Sequence, residues 1–499
     1  MDDHSPQTHE IVRTGIPGLD EVLLGGLTPE RMYLVEGDPG AGKTTLGLRF
    51  LFEGMEQGQS GVYVSLSETR DELEAVAQSH GWTLGSLTVI ELAPGEESLS
   101  AEAENTMFYP SEMELSDTTR RVLEQIERVK PARVVFDSLS EMRLLAQNPL
   151  RYRRQILALK QFFIGRHATV LLLDDRTSDS TDVQLHSLAH GVITLERHTP
   201  TYGVMGRRLQ VQKMRGRRFR SGFHDYVIEF GGLQVFPRLV AADHTEERPV
   251  ELLGTGVPAL DQITGGGIER GSSTLLVGPA GSGKSTLSAQ FGTALAERGG
   301  RAAFFLFDES VTTLLTRSDG LKIPLRRMRD AGKVALHRVD PGQVSPGEFV
   351  AMVREEVERH DARMIVIDSI NGYLNAMPEV RHVILQLHEL LTYLRQRGVT
   401  AVMVVAQHGV LGTGQSPVDA SYLADSVLLL RYFEADGQVR QTLSVLKKRS
   451  GAHERTLREL RMGPSGIQLS EPLREFEGVL TGVPAFHGRS TKLLKPEAA

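Results

Sequence analysis

Four short runs in each half of the chain are apolar at nearly every position rather than at alternate ones. The first half gives Arg31-Met32-Tyr33-Leu34-Val35-Glu36, Gly61-Val62-Tyr63-Val64-Ser65, Arg133-Val134-Val135-Phe136 and Val170-Leu171-Leu172-Leu173. The second gives Ser273-Thr274-Leu275-Leu276-Val277, Ala303-Phe304-Phe305-Leu306, Met364-Ile365-Val366-Ile367 and Val402-Met403-Val404-Val405. A strand with one wet face alternates apolar and polar residues; a strand buried on both faces has no need to. Helical periodicity fills the intervals, and from Thr44 the pattern is helical with few breakers until Gly54. The reading is α/β: in each half, a mainly parallel sheet flanked by helices.

The first strand of each half runs into a glycine-rich loop. These are Gly37-Asp38-Pro39-Gly40-Ala41-Gly42-Lys43-Thr44-Thr45 and Gly278-Pro279-Ala280-Gly281-Ser282-Gly283-Lys284-Ser285-Thr286. Both satisfy G-x-x-x-x-G-K-[ST], the phosphate-cradling pattern, in the strand–loop–helix setting that makes the match credible. The lysines are 241 positions apart, and the same shift relates Thr14-Gly15-Ile16-Pro17-Gly18-Leu19-Asp20 to Thr255-Gly256-Val257-Pro258-Ala259-Leu260-Asp261. It also relates Ser67-Glu68 to Asp308-Glu309, whereas Asp137-Ser138 and Asp368-Ser369 differ by 231. Shared order with drifting loop lengths marks an internal repeat. The expected organisation is an N-terminal tail over 1–11, a first nucleotide-binding domain over 12–240, a polar, proline-bearing linker over 241–250, a second domain over 251–480, and a polar, basic tail over 481–499.

Composition narrows the class. A chain of 499 residues suits two domains of roughly 220–240 residues. No cysteine is present, which excludes disulfides and thiolate metal sites. No apolar run reaches the ~20 residues of a membrane helix, and the first residues lack a secretory pattern, so a cytoplasmic protein without a membrane role is expected. A net charge of −7 argues against constitutive nucleic-acid binding. The densest basic stretch, Lys213-Met214-Arg215-Gly216-Arg217-Arg218-Phe219-Arg220, reads either as a phosphate contact, to nucleotide or nucleic acid, or as a solvated loop.

The motifs assign candidate chemistry. Lys43 and Lys284 are placed to neutralise terminal phosphate oxygens of ATP or GTP, and Thr44 and Ser285 to hold Mg²⁺. Asp137 and Asp368 end apolar strands, where an acid reaches the metal or its waters; the plainer alternative is a helix N-cap. Glu68, Asp308 and Glu309 follow the strand after the loop helix, where a carboxylate orients water or takes a proton. Lys213, Arg215, Lys447 and Arg449 come late in each half, where a cation can act on a neighbouring copy's phosphate.

In this order and twice over, these residues resemble the KaiC family of RecA-superfamily ATPases, over nearly the whole chain. His80-Gly81-Trp82 is similar to the family's S-F-G-W segment, which packs by the adenine and brings in Ser79. The resemblance implies two tandem RecA-like P-loop domains, ATP with Mg²⁺, and a hexamer binding ATP between neighbouring subunits. It further implies a first ring that hydrolyses ATP to drive assembly and a second that phosphorylates its own hydroxyls near an S-T-x-T-D stretch. That stretch reads Ser421-Tyr422-Leu423-Ala424-Asp425, so Ser421 matches the serine acceptor and Tyr422 replaces the threonine. The expectation is an ATPase with serine self-phosphorylation in clock-related or similar signalling. A DNA-stimulated motor on the same core and an ATP-gated scaffold without transfer are the alternatives.

Overall fold

The computed structural model describes residues 10–92, 110–146, 148–176, 183–198, 205–240, 251–375, 380–407, 422–435, 437–478 and 485–486. One compact unit runs to Arg238 and a second begins at Leu239. The expected linker, 241–250, lies outside the described residues.

Each unit is built on a nine-stranded sheet, and the two sheets share one strand order. The first runs Thr88–Glu91, Gly61–Ser65, Arg133–Asp137, Thr169–Asp175, Met32–Gly37, Gly191–His198, Gly206–Met214, Phe223–Glu229, Gly232–Phe236. The second runs Val334–Arg338, Ala302–Leu306, Met364–Asp368, Thr400–Ala406, Ser273–Gly278, Ser426–Ala435, Gln438–Lys448, Arg458–Gly463, Gly466–Pro472. In both, the phosphate-loop strand lies in the middle, paired in parallel on each side. Successive residues of the apolar runs enter different cores. Val135 joins Tyr33, Leu171 and Ile193 on one face, while Val134 and Phe136 join Leu34, Leu172 and Val192 on the other. Ile365 and Ile367 divide from Val366 in the same way. Each such side chain contributes about 1.5–3 kcal/mol by leaving water, which is why these strands are apolar throughout.

Each sheet is mainly parallel, as expected, and its last three strands add an antiparallel meander. Strand Gly206–Met214 fully buries only Leu209 and Val211. Its other positions are Gly, Arg, Gln, Lys and Met, so no continuous apolar run marks it.

The T-G-x-P-x-L-D segment is a fold device. Thr14 donates its N–H and hydroxyl to Asp20 Oδ1 at 2.9 and 2.8 Å; Thr255 does the same to Asp261 Oδ1 at 2.7 Å each. The clamp closes a loop that is also tied back at Val12–Leu27 in one unit and Leu253–Ile268 in the other. Within the stretch read as a C-terminal tail, Ala485–Phe486 pairs antiparallel with Phe476–Glu477.

Candidate nucleotide sites

Helices Lys43–Glu56 and Lys284–Glu297 start directly after the glycine loops. Gly42 and Gly283 cap them with φ of 93° and 96°. A Cβ on Gly42 would stand 2.5 Å from Ile228 Cδ1, and one on Gly283 2.4 Å from Met462 Cε. The left-handed backbone demands glycine, and the Ile228 and Met462 side-chain tips would have to shift for any other residue. Later strands form the roof over each loop: Tyr226, on Phe223–Glu229, donates to the Ala41 carbonyl at 2.7 Å, and Tyr432, on Ser426–Ala435, to the Ala280 carbonyl at 3.1 Å. The free N–H groups of a helix start held this way suit phosphate oxygens.

The two lysines curl back onto their own loops. Lys43 Nζ donates to the Gly37 and Asp38 carbonyls at 3.0 and 3.1 Å, and Lys284 Nζ to those of Gly278 and Pro279 at 2.9 and 2.6 Å. Lys43 also pairs with Asp175 Oδ1 at 2.7 Å. Strand register aligns Asp175 with Gly37 and Ala406 with Gly278, so the second unit has alanine where the first has this carboxylate. Burial pulls the Lys284 ammonium down to about 8, partly opposed by Asp368. A desolvated cation of this kind gains most when phosphate arrives.

The metal-side residues meet as expected, but on different terms in each unit. Thr44 donates to Asp137 Oδ2 at 2.9 Å, and Tyr63 donates to the same oxygen. Ser285 hydrogen-bonds Asp368, whose Oδ2 is buried without a partner. Phe304 occupies the second unit's equivalent of Tyr63 and offers no hydroxyl. Burial raises both carboxyls. Asp368 reaches about 6, with Glu309 adding to the effect and Ser285 opposing it; Asp137 is restrained by Tyr63 and Thr44. A hydroxyl and a carboxylate in each unit, one with an open buried oxygen, fit Mg²⁺, which takes hard oxygen donors and shares them with phosphate. Among the described residues no cluster of three or more His, Cys, Asp or Glu forms a self-sufficient metal cage.

The candidate bases differ more sharply. Glu68 is half-buried, its Oε2 has no hydrogen-bond partner, and burial raises its carboxyl, followed by the Asp137 and Glu72 charges. Ser65 Oγ accepts the Glu68 N–H at 2.9 Å and sets the turn that presents it. In the second unit, Asp308 accepts from the Ser369 hydroxyl, while Glu309 is gripped by both terminal nitrogens of Arg317 at 2.5 and 2.7 Å.

Other expected contacts are engaged inside their own unit. Ser79 donates to the Val76 carbonyl at 2.7 Å; the next residue, His80, reaches the Thr45 hydroxyl at 3.2 Å. Thr286 is buried on the second loop helix. Lys213 donates to the carbonyls of His186 and Ala189, and Arg215 to that of Ser187 at 2.5 Å. Lys447 and Arg449 donate to the Ala424 and Tyr422 carbonyls at 2.8 Å each. Arg217 binds the Gly26 and Leu24 carbonyls, and Arg220 pairs with Glu21 at 2.9 Å, so much of the basic stretch is internally partnered. Ser421 lies outside the described residues.

A family model described as the KaiC ATPase matches residues 12–240 and again 253–474. The chain belongs to the KaiC ATPase family. Its relatives include the circadian clock protein KaiC3 of Synechocystis sp., 24% identical over 98% of this chain and 97% of that protein. KaiC2 of the same organism is 27% identical over 97% and 85%, and the circadian clock oscillator protein KaiC of Synechococcus elongatus 24% over 95% and 91%. The two similar sheets are thus the tandem RecA-like domains of a KaiC-family ATPase. No helix among the described residues is long and apolar enough to cross a membrane.

Within this KaiC-family frame, Tyr63, Asp175 and Arg317 contact the candidate site residues, and the motifs did not reveal them. The 241-residue shift exposes two of them once every position is compared: Tyr63 against Phe304, and Val76 against Arg317. Tyr63→Phe provides a direct check. A donor lost from Asp137 leaves its carboxylate less stabilised and its pKa higher. In a Lys284→Ala background, where turnover reports the first site, the acid limb of the pH–rate profile is expected to move to higher pH. An unmoved limb would show that Asp137 does not govern it.

Proposed function

We propose that the chain is a Mg²⁺-dependent ATPase with two unequal sites, working as a homo-oligomer, a hexamer by family resemblance, with serine self-phosphorylation from the second unit. The clock proteins among its relatives support a role in clock-related or similar signalling regulation. The observation that carries hydrolysis is the first-unit cluster: Thr44 and Tyr63 on Asp137, with the buried, open oxygen of Glu68 beside them. Bound Mg²⁺ would neutralise charge on the β- and γ-phosphate oxygens. Lys43 leaves the loop carbonyls for those oxygens, the first helical N–H groups orient them, and Glu68 Oε2 takes a proton from the attacking water.

Sheet register supports action between copies. Gly37 ends the loop strand, while Lys213 and Arg215 lie at the Gly191 end, which is level with Tyr33. Four residues of strand separate the two levels, about 13 Å. Lys447, Arg449 and the segment leading to Asp425 stand at the corresponding edge of the second sheet, next to Ser426, which is level with Thr274. These cations and the described residues 422–425 lie at the edge away from their own loop, which supports a neighbouring copy as their partner.

Mixing tests this arrangement. Lys284→Ala keeps the acceptor and lacks the donor lysine; Ser421→Ala keeps the donor and lacks the acceptor. Each alone is expected to stay unlabelled by radioactive Mg-ATP, and the mixture to carry label on Ser421 of the Lys284→Ala chain. Label on Ser421→Ala alone would remove Ser421 as the acceptor, and an unlabelled mixture alongside a labelled wild type would remove transfer between copies.

A further inference from the structure

Arg317 faces the second nucleotide site and has no counterpart in the first. It stands on helix Val311–Gly320, two turns beyond Glu309. Its Nη1 and Nη2 meet Glu309 Oε1 and Oε2 at 2.5 and 2.7 Å, the fork geometry that engages both carboxylate oxygens at once. Both side chains are largely shielded, at 34% and 19% exposure, so water screens the pair less than a surface ion pair. The pair also lies within electrostatic reach of Asp368, whose carboxyl Glu309 raises and Arg317 lowers. At the same shift the first unit has Val76, and its carboxylate, Glu68, keeps one oxygen unpartnered.

We infer that Arg317 restrains hydrolysis at the second site by holding Glu309 in a two-point ion pair. The inference rests on Glu309 being the base of that site. In the restrained step the water oxygen bonds to the γ-phosphorus, the γ-phosphorus–oxygen bond to ADP breaks, and the water proton passes to a Glu309 oxygen. Each Glu309 oxygen already accepts one guanidinium N–H, and moving a proton onto the lone pair that remains would cost the charge-assisted pair, so transfer is disfavoured until the fork opens. Slow hydrolysis leaves the bound ATP available for transfer to a hydroxyl instead of water. Arg317 is thus a positioning residue that sets which acceptor wins.

The test uses the full chain in a Lys43→Ala background, so that turnover reports the second site. Arg317→Val, which installs the first unit's residue, is expected to raise kcat about tenfold, a fraction of the ~10²–10⁴ a positioned base supplies, with KM and affinity for a fluorescent ATP analogue within twofold. Arg317→Lys gives a smaller rise, because an ammonium cannot grip both oxygens in a planar fork; it also keeps the test valid if the valine variant folds poorly. An unchanged or reduced kcat in both variants overturns the inference. So does a tenfold loss of analogue affinity, which would make Arg317 a phosphate ligand. Glu309→Gln in the same background separates the two ideas: if it leaves kcat unchanged, the assignment of Glu309 as base fails first.

Discussion

Glu68→Gln, read in the Lys284→Ala background, is expected to lower ATP turnover by about 10²–10³-fold while ATP affinity stays within a factor of two. The substitution keeps the shape of the side chain and removes its ability to take a proton. Positioned acid–base groups contribute about 10²–10⁴ in rate, so the loss falls inside that range. Glu68 is suited to the task because burial and the neighbouring Asp137 and Glu72 charges raise its carboxyl above the ordinary value, toward the pH at which it must work. Its Oε2 has no competing hydrogen bond. Steady-state phosphate release measures kcat, and equilibrium binding of an ATP analogue measures affinity. Retention of more than a tenth of the turnover would move the base elsewhere, with Asp175 the next carboxylate to test.

The second large effect concerns stability. Arg133 is 1% exposed, at the start of a central strand. Its guanidinium donates to the Arg13 and Phe50 carbonyls at 2.8 Å each and to Gln59 Oε1 at 2.8 Å, and lies 4.8 Å over the Phe50 ring. Burial is the first cause that lowers it to about 10. Arg133→Ala deletes these donors and leaves a cavity beside Gly54, where even a Cβ would stand 2.5 Å from Arg133 Cδ. Lost partners of buried polar groups and an unfilled space together are expected to cost about 3–5 kcal/mol. For a unit of this size that lowers its melting transition by about 10 °C. Arg133→Met, which copies Met364 at the matching register of the second sheet, is expected to cost less, because relief of the buried charge offsets part of the loss. Calorimetry of the three proteins gives the ranking; equal melting of all three would show that the arginine network contributes nothing net.

What the sequence disclosed was whatever a local string can carry. Both glycine loops, the strand-ending Asp137 and Asp368 and the acids at 68, 308 and 309 were legible because each role depends on a few adjacent residues. The buried parallel strands were legible for the same reason, since both-face burial removes polar positions. The partners were not. Tyr63 finds Asp137 across 74 positions, and Lys43 finds Asp175 only because two parallel strands bring Gly37 and Asp175 level. Arg317 carries no local signature, and only the fork to Glu309 sets its direction. The antiparallel pairing of the meander was not legible because its strands mix polar with buried positions, and the carbonyl partners of the late cations lie too far along the chain for a local string to show.

The roof over each phosphate loop bears on what can be treated as a module. Ile228 packs against Gly42, and Tyr226 holds Ala41, both from the strand Phe223–Glu229, about 185 positions after the loop. The nine-residue string is therefore portable as text and not as a binding site. Any fragment, fusion or graft that stops before Phe223 keeps every signature residue of the first loop and discards the part that gives it its shape.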